Sequence, residues 1–312
     1  MRTIERVAEL LGPIDRPISK SSAPAELDPI ERAVRDSTER PESREAGELA
    51  AQLDAKRIAE ESKVKAMPSR PSGTTTRTLK VDREQLRRQS IIMPNSERTP
   101  IAESFRRIKR QILANVANPK AGAPANLVLV TSALPGEGKT FCAINLAISI
   151  ALEVNRTVLL VDADVAKPSI PKVLGFKAEQ GLLDVLLDRR INFADVMCKT
   201  DIGKLTLLPA GQAQRHATEL LASDAMRALL QEMAERYHDR IIIFDSPPLL
   251  AASEAGTLAG QMGQVVMVVE AGKTSEAAVK TALGHIETNN VTGLLLNKGD
   301  GFGRGYDYGG YG

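Results

Sequence analysis

Tryptophan is absent from the 312 residues, and no aromatic side chain of any kind precedes Phe105. That same opening stretch holds nine of the seventeen prolines. Without large apolar side chains it cannot bury enough surface to offset the entropy of ordering a chain, so most of it reads as a linker. Cysteine is scarce as well. Cys142 and Cys198 stand far apart with no ligand spacing, which argues against a disulfide framework or a cysteine-bound metal. No uninterrupted apolar run approaches the roughly 20 residues of a membrane span. The first residues, Met1-Arg2-Thr3-Ile4-Glu5-Arg6, lack a signal peptide's apolar centre. Net charge is only +2, so no global field favours nucleic acid. These absences predict a cytoplasmic protein with no direct membrane span and no nucleic-acid partner.

What is present is organised. Ile4, Val7, Ala8 and Leu11 follow helical spacing and stop at Gly12-Pro13, so residues 1–18 hold a short amphipathic docking helix. A flexible linker over 19–95 follows, with a solvated helix over 42–66. The folded domain is expected over 96–298, opening on a basic helix at 96–115. Short β-rich runs at 127–132, 157–162, 205–208, 240–245, 264–269 and 291–296 alternate with helical patterns near 139–153, 179–188, 217–237 and 274–289. Near-continuous Val/Ile/Leu strands alternating with helices indicate an α/β fold, a mostly parallel sheet covered on both faces. The final fourteen residues, 299–312, contain seven glycines and read as a tail.

Three strand ends carry chemistry. The run Ala133-Leu134-Pro135-Gly136-Glu137-Gly138-Lys139-Thr140 is a P-loop: it follows a strand and opens a helix. Backbone N–H groups from Leu134 to Thr140 are expected to wrap phosphates at that helix N-terminus, and the cofactor-binding stretch runs on to Phe141. Lys139 would reach the terminal phosphates and the Thr140 hydroxyl would bind Mg²⁺. Asp162 and Asp164 end the next strand, and alternation puts both on one face, at the crevice where such sheets bind ligands. Asp245 ends a third strand, before Ser246-Pro247-Pro248. A lone acid at a strand end is commonly a helix cap; three beside a P-loop point to an ATP–Mg²⁺ site. Catalytic candidates are therefore Lys139, Asp162, Asp164 and Asp245, with Thr140, Asp162 and Asp245 on the metal. Asn297 is a candidate contact for the base.

Three of the four tyrosines, Tyr306, Tyr308 and Tyr311, lie in the last seven residues, a spacing that suggests phosphate acceptors. The fourth, Tyr237, falls near a helix end. His216, His238 and His285 are scattered and read as surface or helix residues.

On these residues the chain resembles the bacterial tyrosine kinases that regulate capsular and exopolysaccharide export. The likeness covers about 95–312. It rests on Ser132–Thr140, on Asp162-Ala163-Asp164 with Lys167-Pro168-Ser169, on Asp245–Pro248, and on the terminal tyrosines. Glu103-x-x-Arg106-x-x-Lys109 is similar to the basic helix that contacts the neighbouring subunit in that family's ring. The resemblance implies autophosphorylation of the tail in trans, a homo-oligomeric ring joined through Glu103, Arg106 and Lys109, and a separate membrane-bound activator that recruits the chain to the inner face of the membrane. The N-terminal helix is similar to that of autokinases beside exosortase-type loci. Departures are Ala166, where the family usually has Arg, and Lys109 in place of Arg, without the guanidinium fork. Two alternatives carry different signatures. A partition or division ATPase has a second lysine where this chain has Leu134. An ATP-binding assembly scaffold would bind nucleotide without phosphorylating itself.

Overall fold

The computed structural model describes residues 78–93, 99–119, 124–188, 190–286 and 290–299. The helix expected near the N-terminus and the tail tyrosines lie outside these. The centre is an eight-stranded sheet ordered β1-β4-β5-β3-β6-β2-β7-β8. The strands are β1 (Thr78–Leu79), β2 (Leu127–Ser132), β3 (Thr157–Asp162), β4 (Cys198–Thr200), β5 (Leu205–Leu208), β6 (Arg240–Asp245), β7 (Gln264–Glu270) and β8 (Val291–Asn297). All neighbours pair in parallel except β4 with β5. The six strands expected from sequence are all there.

Alternation sorts each strand's side chains onto two faces. Leu127, Leu129, Leu159, Val161, Ile242 and Phe244 pack in one core with Leu182, Met226, Leu230 and Leu258. Those four come from α5 (Leu182–Leu187), α8 (Asp224–Arg236) and α9 (Ser253–Gly260). Val128, Val130, Val158, Leu160, Ile241 and Ile243 pack in the other. There they meet α3 (Lys139–Ala151), α2 (Pro100–Ala117) and α1 (Arg83–Arg88). Both faces of the central strands β2, β3 and β6 are buried, which is why these strands are apolar at nearly every position rather than at alternate ones.

Local signals set the helix ends. Thr99 accepts the Ala102 N–H at 3.2 Å with Pro100 at the first helical position, so α2 starts there and not at residue 96. The expected helix over 217–237 is two, α7 (Ala217–Leu221) and α8. Ser223 divides them by accepting the Met226 N–H at 3.2 Å. The helix expected over 274–289 is α10 (Glu276–Gly284), capped by Ser275. The remaining short helices are α4 (Ile170–Leu174) and α6 (Phe193–Val196).

The folded domain begins earlier than the expected linker boundary at residue 95. Leu79, Val81, Leu86, Ile91 and Ile92 are all buried in the second core. Asp82 caps α1 through the Gln85 N–H at 3.0 Å, and the Ile92 N–H donates to Asn145 of α3 at 2.8 Å. Composition obscured this segment because its apolar residues are few and follow neither strand nor helix period. Leu86 is 0% exposed, so Leu86→Ala should cost about 2–5 kcal/mol in urea unfolding. A loss under about 0.5 kcal/mol would detach residues 78–93 from the core.

Candidate nucleotide and phosphoryl-transfer site

The C-terminal ends of β2, β3 and β6 are neighbours; β3 and β6 end at Asp162 and Asp245, and β2 runs on into the P-loop. The register sets Asp162 directly beside Asp245. The P-loop leaves β2 between β6 and β7 and turns into α3. Gly138 is the N-cap of α3 at φ +96°, and no side chain satisfies the first-turn amides. A Cβ on Gly138 would stand 2.1 Å from Asn297 Nδ2, so glycine is required here by conformation and by space. Free amides at a helix N-terminus form a cradle for phosphate.

Glu137 does not face that cradle. It is 1% exposed, and its carboxylate accepts the Leu134 N–H at 2.7 Å and the Glu270 N–H at 3.3 Å, with the Thr274 hydroxyl also donating. The Leu134 amide is thereby used within the loop. The expectation that it wraps phosphate therefore meets a donor already engaged by a buried carboxylate three residues on. Pro135 has no N–H to offer. The phosphate-facing amides that fit are those from Gly136 onward to Phe141. Asn297 is brought to the loop, but as a clamp: its Nδ2 donates to the Glu137 carbonyl at 2.8 Å. Lys298 donates to the Gly136 carbonyl at 2.7 Å from a left-handed backbone, φ +57°. Sequence reading missed Lys298, Glu270 and Thr274 as supports for the loop, because their contacts join segments more than 130 positions apart.

Lys139 and the three acids do converge. Lys139 Nζ lies 3.9 Å from Asp164 Oδ2, with both side chains largely buried. Asp162 Oδ2 accepts the Ser169 and Ile170 N–H groups at 3.1 Å each, while its Oδ1 has no partner. Asp245 is 0% exposed; the Thr140 hydroxyl is the hydrogen-bonding group beside it, and no donor meets either oxygen at full hydrogen-bond geometry. Burial pushes the Asp162 carboxyl up to about 7, with the Asp164 charge adding to it. Burial and then the charge of Asp162 push Asp245 up to about 8. Burial raises Asp164 too, against the opposing pull of Lys139. Buried carboxylate oxygens without donors are costly and call for an explanation. A bound cation supplies one.

Among the described residues no three His, Cys, Asp or Glu side chains gather as a metal cage. Mg²⁺ needs none: it keeps several waters and binds one or two carboxylates together with phosphate oxygens. The Thr140 hydroxyl, 3.0 Å from Ser169 Oγ, and the unpartnered oxygens of Asp162 and Asp245 fit that donor set. Ser169, outside the predicted metal set, stands at the N-cap position of α4 with no side-chain capping bond.

The expected interface residues divide. Glu103 and Arg106 pair at 2.8 Å on an exposed part of α2. Lys109 turns inward, 8% exposed, donating to the Ser149 carbonyl at 3.3 Å and pairing with Glu153. The i, i+3, i+6 spacing drifts around the helix, and its third member reaches the core side. Lys109 is therefore corrected from an interface residue to a tie between α2 and α3.

The family model AAA_31, described as an AAA domain, matches residues 126–292. The tyrosine-protein kinase YwqD of Bacillus subtilis (strain 168) is 30% identical over 75% of this chain and 96% of its own length. The succinoglycan biosynthesis transport protein ExoP of Rhizobium meliloti (strain 1021) is 34% identical over 70% of this chain, which spans only 28% of ExoP. The crystal structure of the chimerical protein CapA2B2 superposes with a TM-score of 0.57 at 28% identity, over 72% of this chain and 95% of that one.

Proposed function

The chain belongs to the bacterial tyrosine-protein kinases, and from that premise we propose that it transfers the γ-phosphoryl group of ATP to the tyrosines of its own C-terminal tail. The observation that carries this is the convergence of Lys139, Asp164 and the incompletely satisfied carboxylates of Asp162 and Asp245 at adjacent strand ends. The amides from Gly136 to Phe141 and the Lys139 ammonium bind the phosphates. ATP–Mg²⁺, when bound, supplies the phosphoryl group and the cation that neutralises its charge, held by Thr140, Asp162 and Asp245. A phenol near pKa 10 is a poor nucleophile at neutral pH. Asp164, raised by burial and 3.9 Å from Lys139, is placed to accept the hydroxyl proton as the bond to phosphorus forms.

β8 ends at Asn297, whose side chain clamps the P-loop, so the tail starts beside the site. Fourteen extended residues reach at most roughly 45–50 Å, enough for the tyrosines to enter a neighbouring copy. The reading therefore includes transfer in trans within a homo-oligomeric ring, with Glu103 and Arg106 on the contact face. ExoP's name describes a transport protein of polysaccharide biosynthesis. By that likeness the chain serves exopolysaccharide synthesis and export, recruited to the membrane by a separate activator. No helix among the described residues is long and apolar enough to cross a membrane.

Mixing tests the trans route. A Lys139→Met chain, unable to bind phosphate productively, is incubated with a chain carrying Tyr306→Phe, Tyr308→Phe and Tyr311→Phe. Phosphate should appear on the Lys139→Met tail. A tail that stays unmodified, while wild type modifies itself, overturns transfer between copies.

A further inference from the structure

A cavity of about 420 Å³ opens between α1, the Ser90–Met93 segment and the start of α2. Its size falls within the roughly 300–1,000 Å³ of ligand sites. The floor is apolar, formed by Ile91, Ile92 and Ile101. Two guanidinium groups line it. Arg83 reaches Asp201 at 3.4 Å, a long and half-exposed pair. Arg87 is exposed and enters no ion pair among the described residues. No phosphoryl-transfer residue lines this cavity. Its link to the catalytic centre is the Ile92 N–H on Asn145 at 2.8 Å. Asn145 lies six residues beyond Lys139 in α3, roughly 9 Å along the helix.

We propose that this cavity receives phosphotyrosine from the chain's own C-terminal tail, as a product-reading site separate from the catalytic cleft. The proposal rests on the tail being the acceptor. Phosphotyrosine joins an aromatic ring to a group of about −1.5 to −2 charge. The ring covers the isoleucine floor and the phosphate meets the Arg87 fork, which can bind it through two parallel hydrogen bonds. Free phosphate leaves the floor uncovered, and an unmodified tyrosine brings Arg87 no counter-charge. The occupant is at hand. Tyr306, Tyr308 and Tyr311, with Asp307 among them, lie beyond Gly299, the last described residue, which follows the P-loop clamp. The tyrosines stand seven, nine and twelve residues beyond Gly299, so an extended chain carries them at most roughly 25, 32 and 43 Å from it, a reach of the order of the domain itself. Docking there holds the product tail out of the cleft and leaves the cleft open to the next acceptor.

The test uses the full chain with Tyr306→Phe, Tyr308→Phe and Tyr311→Phe. The probe is a fluorescent peptide of residues 300–312, synthesised with phosphate on all three tyrosines and read by anisotropy. It should bind saturably, and the unphosphorylated peptide roughly tenfold or more weakly. Arg87→Gln should weaken the phosphopeptide by a similar factor while binding an ATP analogue as before. Arg88→Gln, whose side chain pairs with Glu84 outside the cavity, should leave affinity within about twofold, as should a saturating ATP analogue. Equal affinity for the two peptides, full affinity in Arg87→Gln, an equal loss in Arg88→Gln, or displacement by the analogue each overturns the proposal. The probe arrives already phosphorylated, so failure here is distinct from failure of the chain to modify its tail, which intact mass reads separately.

Discussion

Lys139→Met should lower phosphate incorporation into the tail by at least about 100-fold, read by intact-mass spectrometry after incubation with ATP–Mg²⁺. Methionine keeps the length of the lysine side chain and removes its charge. In the structure the ammonium is a buried cation at the first position of α3, 3.9 Å from Asp164. Its contribution is greatest as charge shifts on the transferring group, among side chains whose burial strengthens electrostatic interactions. The same substitution removes the larger of two cationic influences on Asp164, leaving Lys167, and shifts that carboxyl further upward, which blunts any help Asp164 gives the hydroxyl. Both effects point the same way. The thermal midpoint serves as the control for folding. A Lys139→Met chain that gains phosphate as fast as wild type, with no other kinase present, would remove the P-loop lysine from the mechanism and with it the proposed function.

Asp245→Asn should act in opposite directions on stability and activity. Asp245 is fully buried with only the Thr140 hydroxyl beside it to hydrogen-bond, so its ionised form is poorly solvated in the absence of a cation. Replacing it with the neutral, nearly isosteric amide should stabilise the nucleotide-free, Mg²⁺-free chain by about 1–3 kcal/mol at pH 8. Phosphoryl transfer should fall at least about 100-fold. The gain has a pH signature. An unfolded Asp titrates near 3.9, whereas burial holds Asp245 near 8 in the native chain. Between those values the native state binds more protons, so wild-type stability in EDTA declines as pH rises through that window. Asp162, raised to about 7, adds to the decline. The slope should be shallower in Asp245→Asn. Urea unfolding from pH 5 to 8 in EDTA measures it. A destabilised Asp245→Asn with an unchanged slope would mean that Asp245 is a structural residue and that its charge is tolerated without metal.

Much of this site was legible along the chain. Each of its parts is local: a loop that must follow a strand and open a helix, and acids that must end strands. Alternation predicts that Asp162 and Asp164 share a face, and both do reach the site. What stayed hidden depends on pairing between distant segments. Glu137 looks like one more residue of a phosphate loop, yet its carboxylate knits that loop to β7 and silences the Leu134 amide. Lys109 looks like part of a basic helix face, yet helical drift carries it to the Ser149 carbonyl. Residues 78–93 look like linker, since five buried apolar side chains in no regular period make no pattern until α3 lies beneath them.

The sequence by itself determined the class of fold, the order along the chain of six of its eight strands and the residues at their ends. Apolar periodicity, helix caps and the P-loop act over a few residues, where the chain's covalent geometry dictates what neighbours what. Only the tertiary structure decided which buried charges lack partners, which loop amides remain free for phosphate, and that an arginine-lined cavity opens beside α2. Those properties depend on desolvation and on contacts between segments, and neither exists until the sheet has assembled.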